Sequence, residues 1–321
     1  MDHPVKAMLH GILDLFGKKT PIGKLDKEQR IDDKVCLVTG ANSGLGFAIA
    51  QQLAERGGKV IMACRSGIPE AGEKIKDLSG SSQVEMMKVD LSDIDSIMNL
   101  VQELKNKEIK LDIAVFNAAM VPSGSRKGKS GLDEMFMVNY LSKFLLVNQL
   151  LKHEIIPIKD DTIPRILFVS SESHRVNRPI DIQQLGIYEE YTMSKVIGFY
   201  GYYKLLLNTF AAELERRLNT EKTTKCAVHV MCPGAVNSNI AKESPAIFKP
   251  LIKVIFSLFF ALPTKAAEPV LYLACSPEIE GKSHIYLHLM QQKQMDDKAL
   301  NVDNGEKLWK KSEELLLATA Q

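Results

Sequence analysis

From residue 34 onward, short apolar and β-branched runs alternate with longer amphipathic stretches. The runs read KVCLVTG, KVIMACR, VEMMKVD, LDIAVFN, RILFVSS and KCAVHVMCPG. Most are apolar throughout, a pattern that suits a strand only when both of its faces are covered. The intervening helical stretches supply the covers, so the order predicts an α/β chain with one doubly wound parallel sheet and helices on both faces. One stretch starts at Ser92 with Asp95 as its capping-box partner and sets Ile94, Ile97, Met98, Val101 and Leu104 along one stripe. Neither a Pro/Gly/Ser linker nor a repeat of solenoid length interrupts the series. The chain is therefore read as an N-terminal amphipathic arm over 1–32, a single domain over 33–290 and a helical tail over 291–321.

Charge and cysteine content narrow the function classes. The 321 residues carry 41 basic and 39 acidic side chains, a formal charge of +2, with no basic stripe of the kind nucleic acid requires. The five cysteines, Cys36, Cys64, Cys226, Cys232 and Cys275, are scattered without a CxxC pair, as expected of buried thiols in a reducing compartment. His284 and His288 lie four apart but lack an acidic or thiol companion, so no metal is expected. Asp14 and Lys6 interrupt any secretory signal, and a cytoplasmic, non-secreted protein is expected. Val5, Met8, Leu9, Ile12 and Phe16 share one helical face, which suits packing on the domain or contact with a membrane surface. The run Val254–Leu262 is too short to span a bilayer, which needs about 20 apolar residues.

The first strand leads into Thr39-Gly40-Ala41-Asn42-Ser43-Gly44-Leu45-Gly46, followed directly by a helix. Glycines there let backbone N–H groups approach a pyrophosphate at the helix N-terminus, although such a turn can also be a plain tight connection. The second strand ends in Arg65, where an acidic residue would serve the ribose of NAD and an arginine accommodates the 2′-phosphate of NADP. The cofactor expectation is thus NADP(H). Asp90 closes the third strand as an adenine-edge partner or a helix cap.

Two YxxxK pairs follow the fifth strand, Tyr191/Lys195 and Tyr200/Lys204. An ammonium near a phenol favours the phenolate, as proton exchange with an alcohol or carbonyl requires. Placed on one continuous helix, the pairs would face opposite ways, since nine residues turn through about 900°. Tyr191 is favoured because it follows the serine-rich end of the fifth strand more closely and because Ser194 would permit close packing. Of Ser170, Ser171 and Ser173, strand alternation sets Ser171 and Ser173 on one side, and Ser171 is taken.

Together, TGxxxGxG, Asn117-Ala118-Ala119, Asn139, the serines, YxxxK and Pro233-Gly234 resemble the short-chain dehydrogenase/reductase family, in its order and over about 250 residues. TGANSGLG, ACR and SSESHR are most similar to its retinol dehydrogenase-like branch, whose relatives include the WW-domain-containing oxidoreductase and protochlorophyllide reductase. The resemblance implies a single Rossmann-fold domain with Tyr191 as general acid/base, Lys195 lowering its pKa, Ser171 on the substrate oxygen and Asn139 holding a relay water. It implies cofactor contacts from Gly40, Asn42, Ser43, Gly44, Leu45, Gly46, Arg65, Asp90, Leu91, Asn117, Ala118, Ala119, Tyr191 and Lys195, and from Pro233, Gly234, Val236 and Ser238. Where the family usually has Asn-Ala-Gly, this chain has Ala119, and Ser238 replaces a more usual threonine. The resemblance further implies a homo-oligomer through the helices after strands four and five and a substrate lid at about 239–263. Here that lid is apolar (Ile247, Phe248, Leu251, Phe256, Phe259, Phe260), suiting a retinoid-, steroid- or fatty aldehyde-like carbonyl or alcohol. Membrane contact through 4–16 or 246–262 goes with such a substrate. A double-bond reductase and a non-catalytic nucleotide-binding scaffold are the alternative readings.

Overall fold

The computed structural model describes residues 22–158, 162–220, 223–234 and 262–319. The lid up to residue 261, the arm over 4–16, Val236 and Ser238 lie outside these residues. One eight-stranded sheet runs in the order β3-β2-β1-β4-β5-β6-β7-β8. Its strands are β1 (Val35–Thr39), β2 (Lys59–Cys64), β3 (Val84–Lys88), β4 (Ile113–Phe116), β5 (Arg165–Val169), β6 (Ala227–Cys232), β7 (Tyr286–His288) and β8 (Gln291–Lys293). All neighbours pair in parallel except β7 and β8, which form an antiparallel hairpin at the edge. The six apolar runs supply β1 to β6. β7 and β8 extend the sheet beyond them and carry it past residue 290.

On one face lie α1 (Gly44–Glu55), α2 (Glu70–Ser79), α7 (Pro263–Ala266) and α8 (Glu268–Cys275), packing the core around Ile49, Leu53, Val38 and Leu271. The other face carries α3 (Ile94–Asn106), the turn α4 (Glu134–Phe136), a π turn over Met137–Leu141, α5 (Ser142–Lys152), α6 (Met193–Leu218), α9 (Asp297–Leu300) and α10 (Val302–Thr319). Asp93, not Ser92, caps α3, accepting from Asp95 N–H (3.1 Å). Ile97, Leu100, Val101 and Leu104 form its buried stripe, while Met98 is exposed.

The tail helix α10 packs into the aromatic surface shared by α5 and α6. Trp309 meets Phe144 (5.1 Å) and Phe210 (5.7 Å), Arg217 lies over its indole at 4.1 Å, and Tyr140 Oη and Ser312 Oγ are 2.6 Å apart. Burial of large aromatic groups of this kind is worth several kcal/mol, about 3–5 for each Trp or Phe truncated to Ala. The helices through which copies were expected to pair thus give part of that surface to the chain's own tail.

All five cysteines are buried and unpaired, and burial pushes the thiols of Cys226, Cys232 and Cys275 up to about 12, so they stay neutral. Two imidazoles are buried as well. His229 Nδ1 accepts from Ile285 N–H at 3.3 Å while its Nε2 is unpaired, and burial pushes it down to about 3. His174 Nδ1 lies 2.8 Å from the Ser171 carbonyl, and its Nε2 accepts from Asp296 N–H at 3.1 Å; burial pushes it down to about 4. Unfolded, both titrate near 6.5, so between about 4 and 6.5 the unfolded chain binds more protons than the folded one. Stability from these groups is complete above about pH 6.5 and lost as the pH falls. Together they should remove about 4 kcal/mol between pH 7.5 and 5. Thermal melts should show Tm falling over that interval; a level or rising Tm would refute the assignment.

Candidate active site

At the C-terminal end of β1 the chain turns through Gly40 and Gly44, both at positive φ, into α1. Ser43 is the N-cap residue but makes no side-chain capping bond, which leaves first-turn N–H groups available to an anion. A Cβ at Gly46 would come within 2.3 Å of the Gly40 carbonyl oxygen and 2.5 Å of Asn117 Nδ2. Only glycine permits that approach, and the side chain of Asn117 completes the turn by donating to the carbonyls of Thr39 (3.0 Å) and Gly40 (3.3 Å). Thr39 Oγ1 accepts from Ala118 N–H at 3.1 Å, binding β1 to the loop that carries Ala118 and Ala119. The cradle therefore fits a dinucleotide pyrophosphate. Beside it, Arg65 is 70% exposed, 4.0 Å from Asp90 Oδ2, and Asn42 Nδ2 donates to Ser66 Oγ at 3.4 Å. Asp90 accepts from both Ser92 N–H (2.9 Å) and Ser92 Oγ (2.6 Å), so one carboxylate oxygen holds the turn and the other faces Arg65. Leu91 follows it, buried in the core.

Asn139 sits buried in the π turn. Its Nδ2 donates to the Met120 carbonyl and its Oδ1 accepts from Met120 N–H, both at 2.9 Å. The side chain ties the loop after β4 to the helix. One turn further on, Lys143 is also buried and donates to the Val138 carbonyl; burial, then repulsion by Lys204, holds it well below the usual lysine range. Nothing in the chemistry-bearing patterns of the sequence singles it out.

The two YxxxK pairs separate here, and the first does not have the shared helical face expected of it. α6 begins at Met193, so Tyr191 precedes the helix and does not share a helical face with Lys195. Tyr191 Oη donates to Asp133 Oδ2 at 2.9 Å, and its ring stacks on Phe199 at 4.3 Å. Its carbonyl accepts from Ser125 N–H at 2.9 Å. Lys195 points outward, 64% exposed, 3.4 Å from Glu189. Burial, then the Asp133 carboxylate that accepts its proton, pushes the Tyr191 phenol far above its ordinary range.

Tyr200 and Lys204 both lie within α6. The Tyr200 phenol faces the Ser171 side; burial, then the Cys232 sulfur, raises its pKa well above the ordinary range, and Ser171 offsets only part of that rise. Lys204 is buried, donates to the Val169 carbonyl at 2.7 Å, and lies 5.6 Å from the centre of the Tyr200 ring. Burial pushes Lys204 down to about 8, still protonated at neutral pH. What lets α6 approach this closely is Gly201, not Ser194: a Cβ there would fall 2.5 Å from the Ser173 carbonyl oxygen. Ser171 in turn accepts from Ser173 N–H at 3.2 Å and begins the short 3₁₀ turn Glu172–His174. Glu172 N–H donates to Cys232 Sγ at 3.2 Å, bringing the end of β6 and Pro233-Gly234 to the same rim. Gly234 has a φ of 72° and packs against Leu289. Ser171, Tyr200 and Lys204 are thus brought together at the C-terminal ends of β5 and β6, where open α/β sheets bind their ligands. Among the described residues no group of three or more His, Cys, Asp or Glu could hold a metal, and no helix is long and apolar enough to cross a membrane.

Comparison with known proteins adds the lineage. The model of the short chain dehydrogenase family matches residues 34–183. Human retinol dehydrogenase 14 is 32% identical over 332 residues, covering 96% of this chain and 96% of that protein. Human polyprenol dehydrogenase is 32% identical over 295 residues, covering 88% of this chain and 85% of that protein. Among solved structures, an uncharacterized protein from Mycobacterium paratuberculosis superposes with a TM-score of 0.68 at 24% identity, covering 91% of this chain and 97% of that one. The Pseudomonas aeruginosa RhlG/NADP complex gives 0.62 at 20% identity, covering 83% and 98%.

Proposed function

The chain belongs to the short-chain dehydrogenase family, as an oxidoreductase of its retinol dehydrogenase-like branch, and from that premise we propose that it interconverts a carbonyl and an alcohol on a lipophilic substrate with NADP(H). The observation that carries this reading is the placement of Tyr200, next to Gly201 where α6 meets the Ser171–Ser173 turn, beside the buried Lys204. NADPH, when bound, would supply a hydride to the carbonyl carbon. Tyr200 would then give its proton to the developing alkoxide, and Ser171 would hold that oxygen through a hydrogen bond. Lys204 would keep a positive charge near the phenolate left behind, stabilising it in a dry environment where charge is felt strongly. Asn139 and Asn117 would hold the loops that wall the nicotinamide end, and Gly40, Gly44 and Gly46 the turn that receives the pyrophosphate.

Arg65 supports the choice of NADP(H), because an exposed guanidinium at the end of β2 meets a 2′-phosphate with charge-assisted hydrogen bonds. The lipophilic substrate rests on the apolar sequence of 246–262 and on relatives that act on retinol and polyprenol by name. The test is a fluorescence titration with NADPH and NADH, repeated on Arg65→Asp. The wild type is expected to prefer NADPH, and the substitution should weaken NADPH by about 10–100-fold while sparing NADH. If neither nucleotide binds, the oxidoreductase reading fails; equal binding of both, unchanged by the substitution, removes the NADP assignment alone.

A further inference from the structure

Away from Tyr200, the segment between β5 and α6 folds over the first turns of α6 and encloses a cavity of about 300 Å³, near the lower end for small-molecule sites. Its walls include Phe199, Tyr202 and Tyr203 from α6, with Arg178, Asp133 and Glu189 as the charged groups. Asp133 accepts from Phe136 N–H (2.8 Å) and Tyr191 Oη (2.9 Å), and Glu189 lies 3.4 Å from Lys195 Nζ. Arg178 is different. Its guanidinium lies 4.3 Å from the centre of Tyr202 and 5.4 Å from that of Phe199, and no carboxylate among the described residues forms an ion pair with it. A guanidinium held over aromatic faces keeps its N–H edge for an acceptor. The Tyr203 hydroxyl, on the same cavity, also has no hydrogen-bond partner among the described residues.

The geometry points to a second binding site, one that takes a small anion with a flat apolar body, such as an aromatic carboxylate. The two carboxylates of the wall already have donors, which leaves the Arg178 guanidinium, the one cation of the wall, and the Tyr203 hydroxyl facing the cavity without an acceptor among the described residues. An acceptor carrying negative charge satisfies both, and the rings of Phe199, Tyr202 and Tyr203 cover its apolar part. A cationic ligand would face Arg178 at close range. The site is distinct from the Tyr200 centre: α6 shows the cavity its Phe199, Tyr202 and Tyr203 side chains, while Tyr200 reaches Ser171 and Lys204 reaches the Val169 carbonyl.

The probe is 2-naphthoate, titrated calorimetrically into the full chain with and without saturating NADPH. Binding that persists with NADPH is expected, weakened about tenfold or more by Arg178→Met and severalfold by Tyr203→Phe. The neutral analogue 2-naphthalenemethanol should not distinguish Arg178→Met from wild type. Absence of naphthoate binding, binding that both substitutions leave unchanged, or preference for 2-naphthylmethylammonium would each overturn the site. Should Arg178→Met lower Tm sharply, the Tyr203→Phe comparison, which keeps the ring and removes only the hydroxyl, decides the matter.

Discussion

Tyr200→Phe should lower reduction of a lipophilic aldehyde by about 10²–10⁴-fold, the size of a lost general acid, and leave NADPH binding in place. Tyr191→Phe should do the opposite, keeping turnover near the wild-type level and lowering stability. The reason lies in what each hydroxyl touches. Tyr200 meets Ser171 on the rim formed by β5 and β6, beside a buried ammonium. Tyr191 donates to the buried carboxylate of Asp133, which also caps α4, so its loss leaves that carboxylate one donor short at a cost of about 1–3 kcal/mol. Steady-state kinetics and thermal melts of the two variants, run side by side, decide between the pairs. Loss of turnover in Tyr191→Phe at unchanged Tm, with Tyr200→Phe active, would return the catalytic role to the first pair.

The sheet was readable from the chain because buried parallel strands need apolar side chains on both faces, and five of the six runs meet that demand, while β3, at the sheet edge, leaves Glu85 and Lys88 exposed. β7 and β8 are three residues each, and β8 (Gln291–Lys293) is a polar edge strand whose pairing depends on β7 alone; neither carries a comparable local signal. The glycine turn was readable for a similar reason, since Gly46 occupies a place that no side chain could enter. The pair proposed here as acid and base was not. Both YxxxK motifs have the same local spacing, and only the start of α6 at Met193 separates them. Spacing along an assumed helix is no guide when one residue lies before the helix begins. A better signal was present in Gly201, whose lack of a side chain next to Tyr200 allows α6 to touch the serine turn. Strand alternation could set Ser171 apart from Ser170 because the β5 ladder runs to Val169 and Ser170 N–H still donates to the Met231 carbonyl (2.7 Å). Lys143 could not, since a lysine next to apolar helix positions is ordinarily a surface residue until its partners are seen.

The largest effect after that of Tyr200 is expected along the pH axis, from Lys204. Burial pushes this lysine down to about 8, so its ammonium is present below that pH and lost above it. Carbonyl reduction needs the cation to stabilise the phenolate as the proton leaves Tyr200, and kcat/KM should therefore fall as the pH rises through about 8. Tyr200 does not set this limb, because burial raises its own pKa further. Stability moves the other way. An unfolded lysine titrates near 10.4, so between about 8 and 10.4 the unfolded chain binds more protons than the folded one, and stability from this group rises with pH by about 3 kcal/mol. Activity lost across that window while Tm holds or rises is thus the signature of Lys204 losing its charge, separable from alkaline unfolding. Lys204→Met should flatten the limb at a rate lower by about 10²-fold or more. Lys204→Arg should carry the limb to higher pH, since a guanidinium keeps its charge there, at reduced rate because its planar fork does not reproduce the single bond to Val169. A limb that stays near pH 8 in Lys204→Met would assign it to another group and leave Lys204 a structural role.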